Sequence, residues 1–491
     1  MFAIVHSAGL VGIDPRPLRV EVHVGSAQQQ ALLVVGLPDT AVREARDRVK
    51  AALVSSGFKV PNRRVVVNLA PADLPKAGSA YDLPIALGML AADRAIPTAA
   101  TAVVALGELA LDGGVRSTRG GLAAALVAKR LGLPCLLAPG AASEAALLPG
   151  VDIRPVTNLV EAIAIALGKI PAPEVQPMAA PVSAPVSDLS EIRGQLLARR
   201  ALEVAAAGGH HLFLSGPPGA GKTMLARVLP SLLPALDDEA LLEVALAWAS
   251  AGYNPPGRCQ PPFRSPHHTA SVAALVGGGH TYLSPGELTL AHRGVLFLDE
   301  LGEFPAQHLD ALRQPIEEGS VSISRKGISV RFPSSVQLVA ATNPCPCGFE
   351  DDRLVACSCP ESGIRRYKAR FSGPLLDRFD LRLKIPRLTA AELTGGPAEN
   401  SQAVRARVVA ARARQSERGQ LNRSLSRPEL DALPMTPEAT SRLRASIDQF
   451  MLTGRGWDRV RRVARTIADL AGDQTVDESH VEEALVFRSS V

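Results

Sequence analysis

Apolar residues along this chain follow two periods, and the change between them divides the sequence. Residues 1 to 170 alternate short β-type runs (LRVEVHV, ALLVVGL, RRVVVNLA, AVVALGELAL) with helix-like stretches (TAVREARDRVKAALVSSG, GLAAALVAKRLG). That pattern predicts a mixed α/β domain. The stretch KIPAPEVQPMAAPVSAPVSDLSEI holds neither period, and its Pro, Ala, Val and Ser content predicts an extended linker over 171–187 rather than a surface loop. A second α/β region follows over 188–386. From 387 to 491 the pattern is helical throughout (AVRARVVAARARQSERG, PEATSRLRASIDQF, WDRVRRVARTIADLAG, DESHVEEALVF), so an all-α end is expected. No solenoid-type repeat is present.

Length agrees with this division, because 491 residues exceed what one hydrophobic core organises. The net charge of +5 permits an anionic partner without requiring one. No apolar run reaches the roughly 18 residues of a membrane span. The opening MFAIVHSAGLVGIDPRPLRVEV lacks a basic start and a small-residue cleavage site. A cytoplasmic protein with no membrane partner is therefore expected. Six cysteines in a chain this long do not make a disulfide scaffold, and four of them fall between 345 and 359.

The most informative segment is GPPGAGKT, residues 216–223, preceded by the apolar HLFLS and followed by TMLARVL. A glycine-rich turn between strand and helix presents backbone N–H groups to phosphate oxygens, with the helix dipole behind them. Gly216, Gly219 and Gly221 are expected to let the backbone close around phosphates, with Pro217, Pro218 and Ala220 completing the loop. Lys222 would place its charge on the β- and γ-phosphates, and Thr223 would offer its hydroxyl to Mg²⁺.

Hydrolysis needs a metal-shell carboxylate and a base. GVLFLDE (294–300) supplies both at the end of a strand apolar enough to be buried on two faces. Asp299 is assigned to Mg²⁺ and Glu300 to polarising the attacking water. VQLVAATN ends in Asn343, whose amide could orient that water. GPLLDRFD carries Arg378, placed to neutralise transition-state charge, often from a neighbouring subunit; alone it reads as a surface ion-pair residue.

These elements, in this order, resemble the AAA+ ATPases and, more narrowly, the YifB/ComM family of the magnesium-chelatase-like branch. The resemblance rests on FRSPHHTAS, SPGELTLAHRGVLFLDELGEF, ALRQPIEEGSVSISR, ATNPCPCG, SGPLLDRFDL and VARTIADLAG, and spans nearly the whole chain. It implies a homo-oligomeric ring, most often a hexamer, with ATP between subunits. It also implies that Asn343 is sensor 1, that Arg378 is the arginine finger, and that sensor 2 is Arg455 or Arg459, with Arg455 favoured. One departure is Arg293, where the family pattern suggests a neutral polar residue.

VVVNLAPADLPKAGSAYDLPIALGML and GELALDGGVRSTRGGL resemble the Lon-protease-like fold of the ribosomal-S5-like superfamily. A Lon-type peptidase needs a serine nucleophile and a lysine base. Those columns fall on Ala80 and Ala123, so a domain without the catalytic dyad is expected, even if a one-residue slip restored Ser79. Gly113-Gly114 reads as a hairpin turn and Gly120-Gly121 as a strand-to-helix connection.

SVSIS and ISVRF flank Arg325, Lys326 and Gly327 as a β-hairpin with a basic tip. Such a tip is either a solvated turn or, as the resemblance implies, a pore element that follows a phosphate backbone. Two basic clusters add to this. Arg365, Arg366, Lys368 and Arg370 interleave with Tyr367 and Phe371, and serve DNA or a subunit interface. Arg405, Arg407, Arg412, Arg414, Arg418 and Arg423 read rather as a solvated helix face with ion pairs. Cys345, Cys347, Cys357 and Cys359 form C-x-C-x9-C-x-C, a candidate structural Zn²⁺ site. Cys135 and Cys259 read as solitary buried thiols, and His267 and His268 as local structure or a subunit contact.

The expectation is thus an ATP- and Mg²⁺-dependent ring motor on single-stranded or branched DNA. By the resemblance its task is branch migration of recombination intermediates in natural transformation, with loader or recombination proteins as further partners. The rivals are a magnesium-chelatase motor for a tetrapyrrole, a Lon-like peptidase, and a regulatory ATPase acting on a protein.

Overall fold

The computed structural model describes all residues except 27–30, 36–39, 73, 75, 77–78, 177–186, 254–259, 280–282, 326–327, 351, 353, 372–374, 395, 397, 451 and 489–491. Most of the expected linker, Cys259, Lys326 and Gly327 lie outside the described residues.

The N-terminal region forms a seven-stranded sheet. Its spatial order is Ala31–Val35, Arg64–Ala70, Asp14–Val24, Phe2–Val11, Val104–Leu106, Cys135–Leu137 and Ile153–Pro155. Phe2–Val11 and Asp14–Val24 are an antiparallel hairpin whose inward positions alternate with outward ones, as a half-buried sheet requires. Asp82–Ala92, an apolar helix buried along its whole length, packs on this hairpin; a Cβ at Gly88 would lie 2.6 Å from Val22 Cγ2. Gly113 (φ +91°) turns the short hairpin Glu108–Leu109/Val115–Arg116, and Gly120 (φ +100°) opens the helix Gly121–Leu131. Both glycine signals in the sequence are met.

The second region holds a five-stranded, all-parallel sheet in the order Phe263–Arg264, Val295–Leu298, Gln337–Thr342, Leu212–Ser215 and Leu381–Lys384. The first strand of this region in sequence therefore lies between the fourth and the fifth. The strands on either side of the central Gln337–Thr342 read LFLS and VLFL and are buried at every position, which explains their unbroken apolar runs. Apolar side chains form one core on each sheet face. The C-terminal helices Ser401–Glu417, Gly454–Ala471 and Glu478–Val486 close over one of them.

The two α/β regions touch. Ala245 and Leu246, from the helix Asp238–Ala251, are buried within the N-terminal core. The Gly12 turn also seats on the basic hairpin: a Cβ there would lie 2.7 Å from Val330 Cγ1 and 3.1 Å from the Arg331 carbonyl. Among the described residues no helix is long and apolar enough to cross a membrane.

Candidate nucleotide site

The phosphate loop leaves the carboxyl end of Leu212–Ser215, where parallel strands open a crevice between their following loops. Its glycines serve different needs. Gly219 (φ +79°) and Gly221 (φ +87°) take left-handed conformations with no atom within 4 Å of an added Cβ. They keep a concavity open above the start of the helix Lys222–Leu232. Gly216 is required by crowding instead, since its Cβ would lie 2.2 Å from the Ile385 carbonyl oxygen. Its N–H donates to the Thr342 carbonyl at 3.2 Å and is not free for phosphate, a correction to the role expected of it.

Lys222 and Thr223 meet the neighbouring strand ends. Lys222 Nζ donates to the carbonyls of Gly216 (2.6 Å) and Pro217 (3.0 Å) and to Asn343 Oδ1 (3.2 Å). Burial pushes its pKa down, opposed by the nearby Asp299 carboxylate. Thr223 Oγ1 donates to Asp299 Oδ2 at 2.8 Å, so the two groups assigned to Mg²⁺ converge. This donor set, one hydroxyl and one carboxylate oxygen, suits a hard cation that keeps several waters.

Glu300 stands just past the strand in a left-handed backbone conformation (φ +51°). Such a conformation is costly for a residue with a side chain and gathers at functional positions. Its side chain is well exposed, and Oε2 lies 3.1 Å from His268 Nδ1. The His267 and His268 rings lie 4.0 Å apart by centroid, and His268 meets the Phe304 ring edge-on. The sequence carried no signal for this pair, because the partners lie on loops after different strands. His268 therefore has a carboxylate partner that spacing along the chain did not reveal.

The predicted arginines are not all brought here. Arg378 Nη2 pairs with Glu317 Oε2 at 2.5 Å, on the far end of the helix Ala306–Glu318, instead of with the phosphate loop. Arg455 is exposed on the first turn of Gly454–Ala471. Arg459, one turn on, is buried and lies 3.5 Å from Asp380 Oδ1. Asp380 is held well below the usual carboxylate range: burial alone would raise its pKa, but His210, whose Nδ1 lies 3.4 Å from Oδ2, and the Arg459 charge outweigh it. The unexpected Arg293 (φ +61°) pairs with Glu243 at 2.8 Å while its N–H donates to the Ser335 carbonyl.

The backbone hairpin Ser320–Arg325/Ile328–Pro333 forms as expected, with Arg325 opposite Ile328. Tyr367 and Phe371 are buried against Phe213 and the neighbouring core, so they are not an exposed stacking platform. Around them Arg365, Lys368 and Arg370 pair with Glu361, Glu350 and Glu303. In the second basic cluster Arg407 pairs with Glu203 and Glu399, Arg418 with Asp469, and Arg412 and Arg414 donate to backbone carbonyls. It is chiefly structural.

The four cysteines converge. Their sulfurs lie within 4.8 Å of one another, with Cys345–Cys357 at 3.7 Å and Cys347–Cys357 at 3.6 Å. Four thiolates about 2.3 Å from a tetrahedral zinc would be separated by about 3.8 Å. Backbone N–H groups of Phe349 and Ser358 pull the Cys347 pKa down to about 6, while Cys357 and Cys359, facing Cys345 and Cys347, are pushed up, so without a cation the cluster holds the negative charge chiefly on Cys347. Cys135 is a solitary buried thiol whose pKa burial pushes up.

Comparison with known proteins finds three family models along the chain. Residues 188–393 match the family model described as magnesium chelatase, subunit ChlI; residues 20–141 match subunit ChlI of Mg-chelatase; residues 398–488 match the ChlI C-terminal model. YifB of Escherichia coli is 42% identical over 494 residues, covering 99% of this chain and 97% of that protein. The competence protein ComM of Haemophilus influenzae is 40% identical over 501 residues, covering 100% and 98%. The magnesium-chelatase 38 kDa subunit of Chlorobaculum parvum is 27% identical over 223 residues, covering 44% of this chain and 57% of that one.

Proposed function

Because the chain belongs to the YifB/ComM family of magnesium-chelatase-like AAA+ ATPases, we propose that it is a ring motor that spends ATP on remodelling DNA. Its task in this reading is branch migration of recombination intermediates in natural transformation. The observation that carries the ATPase half is the convergence of Lys222 with Asn343 and of Thr223 with Asp299 around an open glycine loop.

Bound Mg²⁺ would supply charge neutralisation on the phosphates, held through Thr223 and Asp299. The chain's own groups do the rest. The phosphate-loop amides and the helix start bind and orient the triphosphate. Lys222 adds a point charge at its far end, and Asn343 and Glu300 orient and deprotonate water. Arg378, paired with Glu317 within its own chain, is the residue proposed to act as the arginine finger on a neighbouring copy in a homo-oligomeric ring, most simply a hexamer. Arg455 is the lid arginine proposed to sense nucleotide, and Arg459 is engaged by Asp380.

DNA is favoured by the hairpin Ser320–Arg325/Ile328–Pro333, whose connecting sequence Arg325-Lys326-Gly327 is basic, and by similarity to a competence protein over the whole of this chain where the chelatase 38 kDa subunit matches 44% of it. The N-terminal domain is read as Lon-like without its dyad. Ala80 and Ala123 stand in the catalytic columns, Ser79 is engaged by Glu108, and the buried Lys76 donates to the Pro71 carbonyl. The four-cysteine cluster is read as a structural zinc site, and the protein as cytoplasmic, working with a loader or recombination proteins.

The test is ATP hydrolysis by the purified protein, alone and with single-stranded, duplex or four-way-junction DNA, using Glu300→Gln as the blank. Stimulation of several-fold by junction or single-stranded DNA, with a flat blank, is expected. An unchanged rate on every DNA would sink the DNA motor and move the protein-partner and chelatase readings ahead.

A further inference from the structure

We propose that the four-cysteine loop braces the phosphate loop, so that zinc occupancy sets the affinity of the chain for ATP. The inference rests on the zinc reading above and adds a role to it.

The loop from Asn343 to Pro360 has almost no core of its own. Among its described residues only Cys345 and Gly348 are buried, while Leu354 and Val355 are exposed. Holding an irregular segment in one conformation costs backbone entropy that such sparse burial does not offset. A four-thiolate metal site is a crosslink strong enough to order a segment of this kind.

What the loop touches gives the crosslink its consequence. Gly348 (φ +84°) lies against the nucleotide loop itself: an added Cβ would be 2.6 Å from Pro218 Cδ and 3.7 Å from Asn343 Cγ. Cys345 follows Asn343 by two residues, and Asn343 Oδ1 accepts from Lys222 Nζ at 3.2 Å. The other side is tied down as well. Asp352 pairs with Arg387 at 2.8 Å, and the Arg387 guanidinium lies 5.4 Å from the centre of the Phe349 ring. Arg387 follows Ile385, whose carbonyl crowds Gly216, and Pro386, whose carbonyl accepts from Gln195 at 2.8 Å. Glu350 is held by Lys368 at 3.0 Å. The cysteine loop thus backs the phosphate loop at Pro218 and at the residue that positions Lys222. Loss of the metal releases both contacts together, and by linkage bound ATP should retain the metal.

The experiment uses the full-length chain. Zinc content is measured by chelator release, and affinity with a fluorescent ATP analogue. The wild type, Cys347→Ser/Cys359→Ser and Gly348→Ala are compared, with circular dichroism as the folding check. One zinc per chain is expected in the wild type. The double cysteine variant should lose zinc and bind the analogue about tenfold more weakly, equivalent to about 1.4 kcal/mol. Gly348→Ala should keep zinc and still weaken binding several-fold, and zinc should leave Glu300→Gln more slowly with ATP than without. No zinc in the wild type overturns the zinc reading and the brace with it. Zinc present, with unchanged affinity in folded variants, overturns the brace alone. If the cysteine variant fails to fold, reversible zinc removal from the wild type and Gly348→Ala decide the matter.

Discussion

Nδ1 of His268 lies 3.1 Å from Oε2 of Glu300, the carboxylate assigned to activating water. Glu300 is otherwise well exposed and stands on a left-handed backbone, so this contact fixes a side chain that would sample several rotamers. His268→Ala is expected to lower kcat about tenfold, equivalent to about 1.4 kcal/mol, while ATP affinity stays unchanged. Steady-state kinetics and nucleotide binding on the same preparation check this. Weaker binding at unchanged kcat would mean that His268 serves the loop and not the base.

The glycines of the phosphate loop should separate by cause. Gly216→Ala pushes a methyl into the Ile385 carbonyl and should lower the thermal midpoint. Gly219→Ala meets no atom within 4 Å, so its cost is the left-handed backbone, about 1 kcal/mol, with loss of ATP affinity at a nearly native midpoint. Thermal unfolding with and without ATP distinguishes them.

The two lid arginines should part in the same way. Arg459→Ala leaves the buried Asp380 with fewer opposing charges and should cost about 3 kcal/mol or more in stability. Arg455→Ala, at an exposed position, should leave the midpoint within a degree or two, as about 0.5 kcal/mol or less would do, and lower hydrolysis. Equal loss of stability in both would remove Arg455 as a candidate sensor.

Gly12→Val should disturb the basic hairpin from the other domain. It places a β-branched side chain at φ +65°, against Val330 and the Arg331 carbonyl. A loss of about 2 kcal/mol is expected. Faster proteolysis within 320–333 would accompany it, and an unaltered cleavage pattern would show that the contact does not support the hairpin.

Glu144 supplies a pH dependence. Burial raises its pKa from 4.5 to about 7, so the folded state holds a proton that the unfolded chain has released. The folded pKa lies above the unfolded one, so this group's contribution is full below about pH 4.5 and is lost as pH rises through about 7. Glu144→Gln should remove that slope and gain on the order of 2 kcal/mol over the wild type at pH 8. Unfolding at pH 5 and pH 8 measures it.

The sequence alone determined the elements whose information is local. A glycine loop needs a strand before it and a helix after it, and an unbroken apolar run ending in two acids has few places to sit except the middle of a parallel sheet. Asp299, Glu300, Lys222, Thr223 and Asn343 could therefore be named from spacing. The hairpin, both glycine turns and the four-cysteine cluster were legible for the same reason. Tertiary structure decided what depends on elements distant in the chain. It paired His268 with Glu300, crowded Gly216 with Ile385, seated Gly12 on the hairpin, and turned Tyr367 and Phe371 inward. It also bound Arg459 to Asp380 and Arg293 to Glu243, and laid Gly348 on Pro218. A side chain's residue type and its neighbours in sequence do not specify which remote loop will face it, because that follows from the strand order of the sheet and from the packing of whole domains.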